Sequence, residues 1–263
     1  MIFEKFSNVD RSVEDNINSS VSQMLGVPNI SSEGIIHAEL QKDGEKSDAC
    51  VLKNFIFLGA PGAGKGTQAS HVSKVLGIPS ISSGDIIRAE LKKGGEKAEK
   101  FKLYSEKGLL VPDEMIVEII CDRIKEEDCC NGFILDGFPR TISQAQALEK
   151  MVHIDRVINI VVDAETIYKR MSGRCVCEKC GAVFNSVAEM RPKSEGVCDL
   201  CGGALVRRTD DEEQTVRERL KVYHDQTFPL EEFYTKKGVL VSIDGSRDFS
   251  LTSLDVLKAV GVQ

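Results

Sequence analysis

Short apolar runs alternate with longer stretches of helical spacing along most of the chain. The apolar runs cover residues 55–58, 78–81, 133–136, 157–162 and 239–243. Stretches with apolar residues at helical spacing begin at residues 67, 82, 112 and 163. The same spacing extends over residues 141–151, 211–237 and 251–260. A run rich in β-branched residues, such as 157–162, is typical of a strand buried on both faces. Strands alternating with helices predict a three-layer α/β fold around a parallel sheet.

A glycine-rich turn joins the first predicted strand to the first helix. Its sequence is Gly59-Ala-Pro-Gly-Ala-Gly-Lys-Gly-Thr-Gln68. In this context backbone N–H groups and the helix N-terminus can hold phosphate oxygens, and Lys65 would face the outer phosphates. An ordinary glycine turn is the alternative. Gly66 occupies the position after the lysine where the general pattern has Ser or Thr, so we expect a metal ion to depend on nucleotide phosphates, water and a carboxylate elsewhere.

The segment Asp136-Gly-Phe-Pro-Arg140 directly follows the third predicted strand. Ligands bind at the carboxyl edge of a parallel sheet. There, Asp136 could hold magnesium-bound water and Arg140 could bind a phosphate. A capping aspartate and a solvated arginine are the alternative.

Arginines recur at the ends of predicted elements and within paired motifs: Arg88, Arg140, Arg170, Arg174, Arg208 and Arg219. Any one of them could be a solvated surface residue. Phosphoryl transfer between two nucleotides requires neutralisation of two phosphate clusters, and the arginine fork binds phosphate oxygens bidentately. Together with the glycine loop, these residues favour that chemistry.

Two cysteine pairs interrupt the α/β pattern within residues 175–206. Cys177 and Cys180 form one CxxC pair, Cys198 and Cys201 form the other, and 17 residues separate the pairs. This spacing predicts a four-cysteine zinc site, structural because four thiolates close the coordination sphere. Four reduced thiols without a metal are the alternative. We expect a folded flap that carries arginines over a nucleotide.

Composition restricts the remaining possibilities. The net charge of −7 over 263 residues argues against general binding to nucleic acid or to anionic membranes. No apolar run approaches membrane-spanning length, and no signal or transit peptide is evident, so we expect a cytoplasmic enzyme. The nine cysteines fit a reducing compartment better than a disulfide framework.

The first 52 residues contain an internal repeat. Residues 19–47 match residues 70–98 at about 18 of 29 positions. The early copy has no glycine loop before it, and Glu33-Gly34 and His37 stand where the later copy has Gly84-Asp85 and Arg88. We interpret residues 1–52 as a decayed partial duplicate of 70–98. It is either a surface appendage or a segment that docks as its twin does and modulates the enzyme.

The remaining chain, residues 53–263, resembles the long form of adenylate kinase with a zinc-bearing lid. The motifs that carry the resemblance are the glycine loop, Ser82-Ser-Gly-Asp with Arg88, Gly108-Leu-Leu-Val-Pro-Asp-Glu, Asp136-Gly-Phe-Pro-Arg-Thr with Gln144, Gly173-Arg174, Arg208-Thr-Asp-Asp211 and Arg217-Glu-Arg219-Leu. The resemblance implies a P-loop core, an AMP-binding segment at about 82–111 and a zinc-ribbon-like lid at about 174–209. It also implies reversible, Mg²⁺-dependent transfer of the ATP γ-phosphate to AMP, giving two ADP.

The resemblance further assigns residues to roles. ATP would be bound by Gly62, Ala63, Gly64, Lys65, Gly66, Thr67, Arg170 and Arg174. AMP would be bound by Ser83, Arg88, Val111, Gly137, Arg140, Gln144, Arg208 and Arg219, with Gln144 contacting the adenine edge. The residues expected around the transferring phosphate are Lys65, Arg140, Arg174, Arg208 and Arg219, with Asp136 organising Mg²⁺. Asp210 and Asp211 would help to hold the lid closed.

Two departures from the family pattern are visible. Ser83 stands where Thr is more frequent, and Phe184-Asn185 where many members have Tyr-His. Another nucleoside monophosphate kinase, a catalytically silent nucleotide-sensing module and a zinc-ribbon nucleic-acid binder are the alternatives. The acidic balance disfavours the last of these, and no obligate oligomer interface is evident, so we expect a monomer.

Overall fold

The computed structural model describes residues 54–186 and 190–262. The duplicate segment predicted for residues 1–52 lies outside the described residues.

A parallel sheet forms the centre of the described chain. The strands in chain order are β1 Asn54–Leu58, β2 Ser80–Ser82, β3 Phe133–Asp136, β4 Arg156–Val161, β5 Arg174–Cys177, β6 Val183–Asn185, β7 Leu205–Arg207 and β8 Leu240–Asp244. Five of them build the main sheet in the order β2-β3-β1-β4-β8, and every neighbouring pair is parallel. The predicted α/β architecture is confirmed.

The helices follow the strands as the pattern predicts, except that Glu96–Ser105 forms a helix that the sequence analysis did not predict. They are α1 Lys65–Leu76, α2 Ser83–Lys93, α3 Glu96–Ser105, α4 Asp113–Arg123, α5 Ile142–Glu149, α6 Ala164–Ser172, α7 Glu213–Val222, α8 Pro229–Lys236 and α9 Phe249–Ala259. Side chains cap three of the helices: Ser82 on α2, Thr141 on α5 and Asp163 on α6. Each accepts a hydrogen bond from a backbone N–H of the first turn, which has no partner within the helix.

The two faces of the sheet bury separate apolar cores. Along β1, Phe55 and Phe57 face one core, whereas Ile56 and Leu58 face the other. This alternation follows from the two-residue period of a strand. Both sets are buried because helices cover both faces of the sheet.

The single helix predicted over 211–237 is wrong in detail. A 3₁₀ turn at Thr209–Asp211 precedes α7, and a π-helical turn at Tyr223–Thr227 separates α7 from α8. Pro229 has no N–H to donate to the carbonyl four residues earlier, so the helical ladder breaks there. The Phe228 N–H instead bonds the Tyr223 carbonyl, five residues back, at 2.8 Å.

Residues 174–207 build a separate small sheet. Strands β6, β5 and β7 are antiparallel, in that order. Of the four paired cysteines, Cys177 ends β5, and the other three lie in the turns between the strands of this sheet. The sheet lies between α6 and α7 in the sequence. Across 54–186 and 190–262, none of the helices combines the length and apolarity that a bilayer span requires.

Candidate active site

The glycine loop between β1 and α1 adopts a conformation that requires glycine at specific positions. Gly59 has φ 135°, and a Cβ there would lie 2.5 Å from the Ile160 carbonyl oxygen. Gly64 precedes α1 with φ 98°. The loop therefore passes close to β4 and presents its backbone amides at the N-terminus of a 12-residue helix, where an anion is stabilised.

Lys65, the first residue of α1, is hydrogen-bonded to the start of the loop. Its Nζ donates to the carbonyl oxygens of Gly59 at 2.8 Å and Ala60 at 2.9 Å. Burial lowers the pKa of Lys65 to about 8; Asp136 opposes the shift, whereas nearby arginines, Arg140 foremost, add to it. An ammonium in such a basic, poorly solvated place gains from a bound phosphate anion, which would favour its charged form.

Asp136 ends β3 beside this loop. A Cβ placed on Gly66 would lie 3.1 Å from Asp136 Oδ2, so the glycine that replaces the usual Ser or Thr leaves room for the carboxylate. Burial raises the pKa of Asp136, and the positive charges of Lys65 and Arg140 oppose the rise. Carboxylate oxygen is a ligand that Mg²⁺ prefers in nucleotide sites. The side chain thus fits the expected magnesium role.

One pocket collects most of the residues predicted to bind AMP. Ser83, Arg88, Val111, Gly137, Arg140, Gln144 and Arg219 all line it. Arg208, the eighth, is not among the lining residues. The pocket also includes residues to which sequence reasoning gave no AMP role: Gly84, Ile87, Ser105, Gly108, Leu109, Leu110, Ile116 and Asp210.

Gly137 connects two of these side chains. Its carbonyl accepts hydrogen bonds from Ser83 Oγ and Arg140 Nε, both at 2.7 Å. A Cβ on Gly137 would lie 3.0 Å from the Arg140 guanidinium and 3.1 Å from Ser83 Oγ, and φ is 72°. The turn after β3 therefore brings the hydroxyl of α2 and the guanidinium together.

Arg140 is held at its backbone as well. Its N–H donates to Gln144 Oε1 at 2.7 Å, and its carbonyl accepts from Thr227 Oγ1 at 2.9 Å. Burial, aided by the charge of Arg219, lowers the pKa of Arg140 to about 10. The guanidinium stays charged at neutral pH, but it lies in surroundings where a phosphate would relieve the repulsion.

Acid–base pairs join the small sheet to α7. The Arg174 guanidinium donates two hydrogen bonds to the Asp211 carboxylate: Nε donates to Oδ2 at 2.7 Å, and Nη2 donates to Oδ1. Arg219 binds Asp210 at 2.8 Å. Burial alone would raise the pKa of Asp210, but Arg219, Arg174 and Arg208 outweigh it and lower the pKa. The two aspartates offset part of the arginine charge.

Arg208 and Arg170 are the remaining predicted arginines. Burial, with the charges of Arg88 and Arg174, lowers the pKa of Arg208 to about 10. Its Nε is buried without a hydrogen-bond partner among the described residues. Arg170 reaches the glycine loop, donating to the Ala63 carbonyl at 3.4 Å. Of the predicted arginines, Arg170 thus contacts the loop and Arg88, Arg140 and Arg219 line the pocket, whereas Arg174 and Arg208 are not among the lining residues.

The four cysteines of the small sheet come together. Their sulfur atoms all lie within 4.8 Å of one another, with Cys177–Cys201 at 3.4 Å and Cys180–Cys198 at 3.6 Å. Zinc bonded to four thiolates at about 2.3 Å places the sulfurs ~3.8 Å apart, so the donor set fits tetrahedral zinc.

The backbone around the cysteines is shaped for this cluster. The Gly181 N–H bonds the Cys177 carbonyl and the Gly202 N–H bonds the Cys198 carbonyl, both at 2.9 Å. Gly203 is required for space, because a Cβ there would lie 2.9 Å from Cys177 Sγ. A hydrogen bond from the Cys180 backbone N–H lowers the pKa of Cys177. A bond from the Gly203 backbone N–H also acts to lower the pKa of Cys201, but the side-chain bonds of Cys201 to Cys180 and Cys177 outweigh it, so that pKa is raised. The four thiols thus do not ionise independently of one another.

Two residues that support the site had no assigned role in the sequence-based prediction. Asp113, the first residue of α4, accepts from Gln144 Nε2 at 2.7 Å and from Thr141 Oγ1 at 2.8 Å. Thr227 lies in the π-helical turn, 87 positions from its partner Arg140. Asp113 belongs to the motif Gly108–Glu114, which was a usable signal, whereas no sequence pattern indicated Thr227.

Comparison with known proteins agrees with this geometry. The family model described as adenylate kinase matches residues 57–239. An adenylate kinase of Caldicellulosiruptor saccharolyticus is 54% identical over 213 residues, which cover 79% of this chain and 99% of the relative. An adenylate kinase of Archaeoglobus fulgidus is 51% identical over 200 residues, which cover 74% of this chain and 92% of the relative. An adenylate kinase of Clostridium acetobutylicum is 50% identical over 212 residues, which cover 78% of this chain and 98% of the relative.

Proposed function

The chain belongs to the adenylate kinase family of phosphotransferases, and we propose that its described residues divide the work of moving a phosphoryl group from ATP to AMP as follows. Adenylate kinases use Mg²⁺ with ATP and interconvert ATP, AMP and ADP. The observation that carries the assignment of roles is the convergence of the glycine loop, Asp136 and the buried arginines at one edge of the sheet.

ATP binds at the glycine loop. The amides of residues 62–67 hold its phosphates, and Lys65 exchanges its two carbonyl partners for phosphate oxygens. This exchange is favourable because the ammonium gains an anion where burial now lowers its pKa to about 8. Arg170, next to the loop at Ala63, faces the adenosine side, and Arg174 faces the phosphates.

AMP binds in the neighbouring pocket. Arg88 and Arg140 hold its phosphate, Ser83, Val111 and Gly137 line the nucleoside, and Gln144 bonds the adenine edge. The lowered pKa of Arg140, about 10, supports this role. Burial and the positive charge of Arg219 destabilise the charged guanidinium, and a bound phosphate anion would stabilise it. Under this proposal, Arg208 and Arg219 lie between the two phosphate sites. Their positive charges stabilise the phosphoryl group in the transition state of its transfer.

Residues 82–111 and 174–209 act as the AMP-binding segment and the lid. Their closure excludes water, which would otherwise accept the phosphate. The pairs Arg174–Asp211 and Arg219–Asp210 support this role, because they connect the base of the lid with the helix that follows it. Residues 1–52 form a separate extension under this proposal.

Two metal ions complete the proposed site. Asp136 would hold Mg²⁺ through bound water, and the ion would supply positive charge to offset that of the nucleotide phosphates. Cys177, Cys180, Cys198 and Cys201 hold a structural Zn²⁺. The closeness of their four sulfur atoms supports that assignment.

The proposal includes a monomer that works in the cytoplasm without nucleic-acid or membrane partners. The net charge of −7 supports the absence of polyanion binding. Light scattering after size-exclusion chromatography tests the monomer directly. A mass near twice 28.9 kDa would contradict it.

The direct test is product analysis with ATP, Mg²⁺ and each nucleoside monophosphate in turn. We expect rapid ADP formation with AMP alone. Turnover that prefers UMP, CMP or GMP would contradict the roles of Gln144 and the AMP pocket. Absence of turnover with every monophosphate would favour the nucleotide-sensing alternative and contradict the proposal.

A further inference from the structure

Gln144 is one of the most deeply buried polar residues near the pocket. It is 2% exposed, lines the pocket and lies on α5. Both ends of its amide are engaged by the protein. Oε1 accepts from the Arg140 N–H and Nε2 donates to Asp113 Oδ1, each at 2.7 Å.

These two partners determine which way the amide faces. A backbone N–H can only donate, so the atom opposite Arg140 must be the oxygen. A carboxylate accepts, so the atom opposite Asp113 must be the nitrogen. Reversing the amide would place two donors together at Arg140 and two acceptors together at Asp113. Each mismatch leaves a buried polar group unpaired, which is costly.

The locked amide retains a defined pattern for a ligand. A primary amide has two N–H groups and two oxygen lone pairs. The bonds to Arg140 and Asp113 use one lone pair and one N–H. One N–H and one lone pair therefore remain for a ligand, and the orientation of the amide determines which of the two lies on which side. This pattern complements an edge with a ring-nitrogen acceptor beside an exocyclic amine, as in adenine. A reversed amide would complement a ring N–H beside a carbonyl, as in hypoxanthine.

We propose that Asp113 is a positioning residue that sets the base specificity of this pocket by fixing the orientation of the Gln144 amide. The inference rests on the proposed role of Gln144 in binding the adenine edge. Asp113 is itself held, since Thr141 Oγ1 donates to its second oxygen at 2.8 Å. Thr141 also caps α5 by accepting from the Gln144 N–H at 3.2 Å. The carboxylate, the cap and the amide therefore form one unit.

The test compares AMP with inosine monophosphate, which shares the sugar and phosphate and differs only at this edge. In Asp113→Asn, the new amide can either accept from or donate to Gln144, so the contribution of Asp113 to the preferred orientation is lost and only the Arg140 N–H still favours it. We expect the ratio of kcat/KM for AMP to that for inosine monophosphate to fall roughly tenfold, the effect of one hydrogen bond to a charged group. KM for ATP should not change.

Asp122→Asn is the matched control. Asp122 lies on the same helix with an exposed side chain and pairs only with Lys125 in the described contacts, so the same charge change there should leave the ratio unaltered. A wild-type ratio in Asp113→Asn, or equal loss with both monophosphates, would overturn the inference. If Asp113→Asn does not fold, Thr141→Val provides the test, because it removes the hydrogen bond that holds Asp113. A lowered ratio of kcat/KM for AMP to that for inosine monophosphate supports the inference, and an unchanged ratio overturns it.

Gln144→Ala separates this inference from the proposed function. A ratio unchanged in Gln144→Ala would mean that Gln144 does not contact the base, and the proposed role of Gln144 would fail. A ratio that collapses in Gln144→Ala but stays normal in Asp113→Asn would retain that role and overturn the positioning by Asp113.

Discussion

The hydrogen bond from Thr227 to Arg140 connects the π-helical turn with the turn that carries the Arg140 guanidinium, which we propose binds the phosphate of AMP. Thr227 is 8% exposed, and its Oγ1 lies 2.9 Å from the Arg140 carbonyl oxygen. Replacing Thr227 by Val keeps the shape of the side chain and removes the donor. We expect this substitution to lower both the stability of the protein and its affinity for AMP.

The magnitude follows from the geometry. The substitution leaves a poorly solvated carbonyl without this partner, at a cost of about 1–3 kcal/mol in the free energy of unfolding. For a domain of this size, 1 kcal/mol corresponds to about 2–4 °C in Tm, so a cost near the middle of the range lowers Tm by roughly 4–8 °C. Since Arg140 lines the pocket that we propose binds AMP, KM for AMP should rise about three- to tenfold while KM for ATP stays constant.

Differential scanning calorimetry and steady-state kinetics check the two parts. Thr235→Val is the control, because Thr235 Oγ1 donates to the Glu231 carbonyl at 2.6 Å in an exposed part of α8. Thr227→Ser retains a hydroxyl and should recover most of the AMP affinity. If Thr227→Val matched the wild type in Tm and in KM for AMP, the reasoning about this hydrogen bond would be refuted.

Two further predictions concern the lysine and the metal. Lys65→Met should lower kcat at least 100-fold. It should also remove the pH dependence of stability that Lys65 causes, because the folded-state pKa of about 8 lies below the ordinary value of 10.5. The wild type should gain stability as pH rises from about 8 towards 10.5, since the unfolded state then holds the proton that the folded state has lost. A Lys65→Met protein that keeps this pH dependence, measured by urea unfolding, would contradict the assignment. Gly203→Ala should reduce bound zinc and Tm, because its Cβ would lie 2.9 Å from Cys177 Sγ. Metal analysis by mass spectrometry showing full zinc occupancy in Gly203→Ala would contradict the spatial argument.

Local sequence was sufficient for the elements with a strong pattern. The apolar run at 133–136 is β3 as predicted, and the cysteine spacing identified a cluster whose four sulfurs meet within 4.8 Å. The boundaries were less accurate: the strand predicted at 78–81 is Ser80–Ser82, and the helix predicted over 211–237 divides at a π-helical turn. Strand ends depend on pairing with neighbours, and register is not encoded in a three-residue segment.

The candidate site shows the same division. The glycine loop could be recognised because phosphate binding demands its residue types at short spacing. Asp136 could be recognised because it ends a predicted strand, at the sheet edge where ligands bind. Arg208 was predicted to bind AMP with seven residues that line one pocket, but it is not among the lining residues. Its position depends on how the small sheet lies against the pocket, which no local pattern specifies.

By itself, the sequence determined the alternation of strands and helices, the phosphate loop and the two cysteine pairs, because each rests on residues close together in the chain. Only the tertiary structure decided that Gly66 leaves space for Asp136, that Asp113 and Arg140 hold the Gln144 amide in one orientation, and that Thr227 supports Arg140 from 87 positions away. These contacts join elements separated by long stretches of chain. They arise when packing of the sheet and helices brings the partners within hydrogen-bond distance, and such distances are a property of the whole fold.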